Sequence, residues 1–129
     1  MKQNRILFTG FKKSSAAILL DKISNTYEKF LFTNDYTTII SEIDELFEKE
    51  KYDYVIMFVQ KPLIKRLSIE VKCKNKKNFL ETTFPLRKLL NVLDENDIAY
   101  KISESPGTSY CNFLYYNVLK CLEVRKYKT

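Results

Sequence analysis

Apolar residues along the chain fall into two rhythms, short unbroken runs and three-to-four spacing, and the switching between them predicts strands separated by helices. Asn4 to Thr9 carries the run Ile6-Leu7-Phe8 and is ended by Gly10, the pattern of a buried strand. Ser14 or Ser15 can then cap a helix whose apolar positions Ala16, Leu19, Leu20 and Ile23 leave Asp21, Lys22 and Asn25 to solvent. A second strand is expected over Lys29 to Thr33. The next helix starts at Thr37 or Thr38, with Ile39, Ile40, Ile43, Leu46 and Phe47 forming one stripe opposite Glu42, Asp44, Glu45 and Glu48.

Tyr52 to Gln60 is nearly continuous in apolar and aromatic residues, which predicts a strand buried on both faces at the centre of a parallel sheet. Arg66 to Lys74 alternates instead, with Leu67, Ile69, Val71 and Cys73 on one side and Ser68, Glu70, Lys72 and Lys74 on the other. That is an edge or hairpin strand with one wet face. A helix follows from Phe84 to Asn96, with Pro85 near its start and Leu86, Leu89, Leu90 and Leu93 inward. Ala99 to Ser103 reads as a short strand, and a last helix runs from Thr108 or Ser109 to about Leu122. Strands alternating with helices predict an α/β fold, a mainly parallel sheet sandwiched between helices in three layers, with residues 1–129 forming a single domain.

Composition narrows the function classes. At 129 residues, 45% hydrophobic, with two glycines and three prolines, the chain can bury a core and contains no linker-like or disordered tract. Ala16 to Leu20 and Val55 to Val59 are the longest apolar stretches, too short to span a bilayer, and no signal-peptide pattern opens the chain; the expected location is the cytoplasm. Cys73, Cys111 and Cys121 match no zinc or redox spacing, so neither a structural metal nor a cofactor is expected. The net charge of +6 raises a nucleic-acid reading, but the basic residues of Lys61 to Lys77 alternate with apolar ones and acidic residues fill the helices, so no nucleic-acid partner is expected.

In such a fold the site forms beyond the carboxyl ends of the strands. Three segments are expected there: Gly10-Phe11, Gln60, and Ser103 to Asn112. The last of these includes Ser105-Pro106-Gly107-Thr108-Ser109-Tyr110-Cys111-Asn112, a turn feeding a helix with a cysteine in its first turn. Unpaired amides and the positive end of a helix dipole favour thiolate over thiol, which makes Cys111 a candidate nucleophile. A nucleophilic cysteine ordinarily borrows an imidazole to shuttle its proton, and the sequence contains no histidine. The competing reading of Cys111 is a small buried hydrophobe. Cys73 and Cys121 are read as core, and Phe113 and Tyr116 as one helix face packed on the sheet. A tyrosine hydroxyl near a thiol could donate to it.

Ordered fragments carry a resemblance to a known family: Ile6-Leu7-Phe8-Thr9-Gly10-Phe11, Tyr54-Val55-Ile56 leading to Gln60, Ile64-Lys65-Arg66-Leu67-Ser68-Ile69, Thr83-Phe84-Pro85-Leu86-Arg87-Lys88, and Gly107-Thr108-Ser109-Tyr110-Cys111-Asn112. The chain resembles pyroglutamyl peptidase I, or pyrrolidone-carboxylate peptidase, a cysteine peptidase that removes an N-terminal pyroglutamyl residue. The resemblance implies that Cys111 matches the nucleophile of a Glu, Cys, His triad, and that Phe11 and Gln60 match residues holding the pyroglutamyl ring. The family's glutamate would fall at Lys65, and its histidine, which lies on a further strand, has no counterpart before Thr129. The loops after Gly10-Phe11 and Gln60 are shortened to Lys12-Lys13-Ser14 and Lys61-Pro62-Leu63.

These readings combine into an expectation of a peptidase-like protein, degenerate as a catalyst, whose candidate partner is an N-terminal pyroglutamyl peptide. The alternative is a non-catalytic binding or assembly module. Absence of the final strand would leave a sheet edge open to pairing with another chain, so a homo-oligomer is expected.

Overall fold

The protein is described by a computed structural model covering residues 5–49, 51–59, 67–75, 78–104 and 110–125. The first half is wound as β1 (Ile6–Phe11), α1 (Ser15–Lys22), β2 (Glu28–Phe32), α2 (Tyr36–Lys49) and β3 (Tyr54–Met57), with parallel strands in the order β2-β1-β3. The chain therefore travels outward from β1 to β2 and returns past β1 to β3. Right-handed crossovers then require α1 and α2 to lie on opposite faces. Adjacent residues of β1 confirm it: Gly10 faces α1, while Phe11 shares a buried cluster with Ile39 and Ile43 of α2.

Local chemistry sets the helix starts. Ser14 caps α1, accepting from the Ala17 N–H at 3.4 Å and donating to the Phe11 carbonyl at 2.7 Å. Asp35 rather than Thr37 or Thr38 begins α2: its carboxylate accepts from both the backbone N–H (2.9 Å) and the hydroxyl (2.5 Å) of Thr38. Ile39, Ile43 and Phe47 are buried, but Ile40, expected on the same stripe, is exposed. On α1 only Ala16 and Leu20 are buried, and Leu19 lies outside the narrow face that meets β1.

The unbroken run at 52–60 predicted the central strand, but β1 is central, and β1 is the ladder partner of β3 among the described residues. The aromatics of that run serve its flanks instead. Tyr54 packs edge-on against Phe84 at 5.4 Å, and Phe58 stacks on Phe8 at 6.1 Å. Arg5, just before β1, joins the strands at their amino ends through a two-point ion pair with Glu28, with both N···O distances 2.6 Å, and lies over the Tyr52 ring.

The second half comprises β4 (Leu67–Glu70), β5 (Lys72–Asn75), β6 (Asn78–Glu81), α3 (Leu86–Glu95), β7 (Tyr100–Ser103) and α4 (Tyr110–Arg125). The alternating stretch read as one strand divides at Val71. Its first part pairs in parallel with β7, and its second forms an antiparallel hairpin with β6. Val71 serves both neighbours, donating to Ser103 O at 3.0 Å and accepting from Thr82 N at 2.9 Å. The strand β6 was not anticipated, because Asn78-Phe79-Leu80-Glu81 has too short an alternation to register.

The α4 helix lies between α2 and the hairpin. Leu114, Val118 and Leu122 join Leu7, Phe11, Phe32, Ile39, Ile43, Phe47, Tyr52 and Val55 in the main core. Tyr116 and Leu119 join Cys73 in a smaller one, so Phe113 and Tyr116 belong to different surroundings, Phe113 meeting Tyr36 of α2 at 4.6 Å. Parallel strands with helices on both faces make this an α/β fold, and among the described residues no helix is long and apolar enough to cross a membrane.

Candidate functional site

Strand order reverses at β1, since β2 and β3 flank it on opposite sides. The crevice beyond the carboxyl ends of β1 and β3 is therefore where this topology gathers a ligand site. Gly10 and Phe11, expected in the loop after the first strand, are its last residues, held in register with Leu31 and Phe32. The following turn is tied to β2: Lys12 N donates to Phe32 O at 2.9 Å, and Asn34 Nδ2 donates to Lys12 O at 3.2 Å. Lys13 takes a left-handed φ of 57°, the cost of making a tight turn without glycine. From β3, Phe58 N donates to Thr9 O at 2.9 Å, so the chain continues alongside β1 as far as Phe58.

The three sequence-derived site residues fare differently. Phe11 is buried, 5% exposed, and belongs to the main core together with Leu114 of α4. Gln60, Lys65 and the turn at 105–109 lie outside the described residues. The backbone of Cys111 lies in the first turn of α4, as expected, one turn before Leu114. Phe11 and the start of α4 are thus brought to the same side of β1 through a shared core neighbour.

Two features of this region escaped sequence reasoning. Thr9 is 1% exposed, and among the described residues its Oγ1 has no hydrogen-bond partner; alternation along β1 places it between Leu7 and Phe11 on the α2 and α4 side. A buried hydroxyl left unpaired costs about 1–3 kcal/mol, so it is an unusual group at the carboxyl end of the central strand. The second is Asn112. Lys74 N donates to its Oδ1 at 3.0 Å, and its Nδ2 donates to Lys74 O at 2.9 Å, which fastens the first turn of α4 to β5. One signal was available, since Asn is a poor interior helix residue whose amide readily pairs with backbone.

Two titratable groups packed around α4 are held protonated by burial. The Cys73 thiol is buried, donates to Leu80 O at 3.7 Å, and is pushed up to about 12 by burial. Tyr115 is likewise raised to about 12 by burial, and its hydroxyl donates to Glu70 O at 2.8 Å rather than to a thiol. Among the described residues no three Cys, Asp or Glu side chains gather as metal ligands.

No family model matches the sequence, and no curated protein matches it. Solved structures do. The chain is similar to a pyrrolidone carboxyl peptidase from Thermococcus litoralis, with TM-score 0.79 and 19% identity over 97% of this chain and 72% of that one. It is similar to pyroglutamyl peptidase I from Bacillus amyloliquefaciens, with TM-score 0.82 and 14% identity over 94% and 75%. A mutant pyrrolidone carboxyl peptidase from Pyrococcus furiosus gives TM-score 0.80 and 19% identity over 95% and 76%. At such identities the likeness is one of architecture: over most of its length this chain has the fold of pyroglutamyl peptidase I.

Proposed function

We propose that this is a pyrrolidone-carboxylate-peptidase-like protein in which Cys111 stands in the nucleophile's place and which, as these 129 residues, is degenerate as a catalyst. The observation that carries it is the first turn of α4, which contains Cys111 and belongs to the helix reached after β7 in a peptidase-like fold. Sulfur there would meet helix-start amides, which stabilise a thiolate and the oxyanion of an attacked carbonyl. The recognised chemistry would be hydrolysis of an N-terminal pyroglutamyl amide, with Phe11 and Gln60 against the ring. Acyl transfer must also protonate a leaving amine and activate a water, each step worth about a hundredfold or more. The sequence supplies no imidazole for either, and Lys65 stands where the resemblance places the carboxylate. A chain that retains amide donors without a proton carrier keeps only a small residual rate. Its compartment is reducing, the cytoplasm, a reading supported by the odd count of three cysteines.

A fluorogenic pyroglutamyl amide tests this, assayed with the parent chain and Cys111→Ser. The expected result is turnover close to background with little dependence on the cysteine. Efficient turnover abolished by Cys111→Ser would refute the degeneracy.

A second reading, a non-catalytic assembly module, is favoured by the open flanks of the three-stranded sheet, where β2 and β3 each pair on one side among the described residues. Unpaired strand edges invite pairing with another copy. Sedimentation over a range of concentrations checks it, and a monomer throughout would remove the homo-oligomer.

A further inference from the structure

Residues 72–75 and 78–81 form a hairpin in which Lys74 faces Phe79. Antiparallel ladders alternate between pairs that exchange backbone hydrogen bonds and pairs whose N–H and C=O point outward. Val71 O accepts from Thr82 N, which places Lys74 in the outward class. Its peptide groups therefore face away from β6, along an edge that would ordinarily require water or another strand. The carboxamide of Asn112 takes both, at 3.0 Å and 2.9 Å, acting as a one-residue substitute for a neighbouring strand.

The attachment is made next to Cys111 in sequence, in the first turn of α4. One turn later Tyr115 donates to Glu70 O, and beyond it Tyr116 and Leu119 close on Cys73. These later contacts hold the body of the helix. Asn112 makes the hairpin contact of the first turn, whose other side is held by Phe113 against Tyr36 and by Leu114 in the main core, and the Cα of residue 111 is about 3.8 Å away along the chain. A two-point amide contact restrains rotation as well as distance, which a single hydrogen bond does not.

We infer that Asn112 is a positioning residue: by clamping the backbone of Lys74 it sets where the first turn of α4, and therefore Cys111, sits relative to the β5–β6 hairpin. The inference rests on the reading of Cys111 as the nucleophile's counterpart. It adds a requirement that the resemblance did not supply, that the β5–β6 hairpin supports the site through Asn112.

The test uses the full chain, Asn112→Ala, and Tyr115→Phe, which removes a hydrogen bond from the same helix one turn further on. Amide exchange is followed at Lys74 and at Leu114 and Tyr115, whose helical bonds close the first turn. Iodoacetamide labelling, resolved by peptide, is followed at Cys111 against pH. In Asn112→Ala, exchange at those three amides is expected to rise about tenfold, and the midpoint of Cys111 labelling to move upward, while Tyr115→Phe leaves that midpoint in place. Should Asn112→Ala fold poorly, Asn112→Asp, which keeps the acceptor for Lys74 N–H and loses the donor, is read by exchange alone and is expected to fall between the two. Unchanged exchange at Leu114 and Tyr115 in Asn112→Ala would overturn the inference, as would a Tyr115→Phe midpoint shifted equally far. A parent chain whose Cys111 labels as an ordinary thiol would refute the nucleophile instead, and the exchange measurement then decides the clamp by itself.

Discussion

Gly10 and Ala16 pack so closely that a methyl group built on Gly10 would lie 3.0 Å from Ala16 Cβ and 3.3 Å from Leu20 Cδ1. The glycine is required by close approach, since its backbone has no positive φ. It lets α1 lie directly on the central strand, two residues short of the turn that opens the candidate site. Gly10→Ala is expected to destabilise by about 1–3 kcal/mol through overpacking, partly offset by a less flexible unfolded chain. Gly10→Val should be worse, and adding Ala16→Gly to Gly10→Ala should recover part of the loss. Urea unfolding followed by circular dichroism measures all three; a Gly10→Ala midpoint equal to the parent's would mean that α1 shifts outward freely.

Thr9 gives an expectation of opposite sign. Its buried Oγ1 has no partner among the described residues, so Thr9→Val removes an unsatisfied group while nearly preserving shape. Stability should stay level or rise by about 1 kcal/mol, whereas Thr9→Ser, which keeps the hydroxyl and deletes a buried methyl, should lose about 1 kcal/mol. Destabilisation by Thr9→Val, measured in the same urea titration, would show that the hydroxyl has a partner in solution.

The alternation of strands and helices was legible because each long element carries its own period, as the stripe Ile39, Ile43 and Phe47 does. Position within the sheet was not. An unbroken run such as Tyr54 to Phe58 looks the same whether its rings fill a sheet centre or pack on its flank, and here Phe8 and Phe84 claimed them. The split at Val71 was hidden because both halves of 67–75 keep period two, and only the partners differ. At the site, Cys111 could be placed in a helical first turn from Pro106, Gly107 and the residues that follow. Asn112 could not be assigned to Lys74, because a contact across 38 residues leaves no local trace.

Asp35 supplies a pH dependence. Its carboxylate is held below the usual range, first by the Thr38 hydroxyl and then by the Thr38 backbone N–H. A depressed carboxylate contributes stability that is present above its unfolded value, near 3.8, and is lost as pH falls through the lower folded value. Asp35→Asn should therefore destabilise α2 at neutral pH and approach the parent chain in acid, the difference between their unfolding midpoints narrowing below about pH 4. A constant difference from pH 7 to pH 2.5 would mean that the charged cap contributes nothing beyond the uncharged one.

Cys73 and Tyr115 govern the alkaline side. Burial raises the thiol from 9.0 and the phenol from 10.0, each to about 12. In both cases the folded state keeps a proton that the unfolded chain releases, so the stabilisation is complete below pH 9 and declines as pH rises toward 12. Urea midpoints should fall steadily above pH 9, and the fall should be shallower in Tyr115→Phe, which has one proton fewer to release. Peptide-resolved labelling gives the direct check. At pH 9 the native protein should leave Cys73 unmodified while the urea-unfolded chain alkylates it fully, because reaction at Cys73 requires opening of the cluster with Tyr116 and Leu119. Equal rates in the two states would place that sulfur in contact with solvent and remove the hairpin's small core as a support for the body of α4.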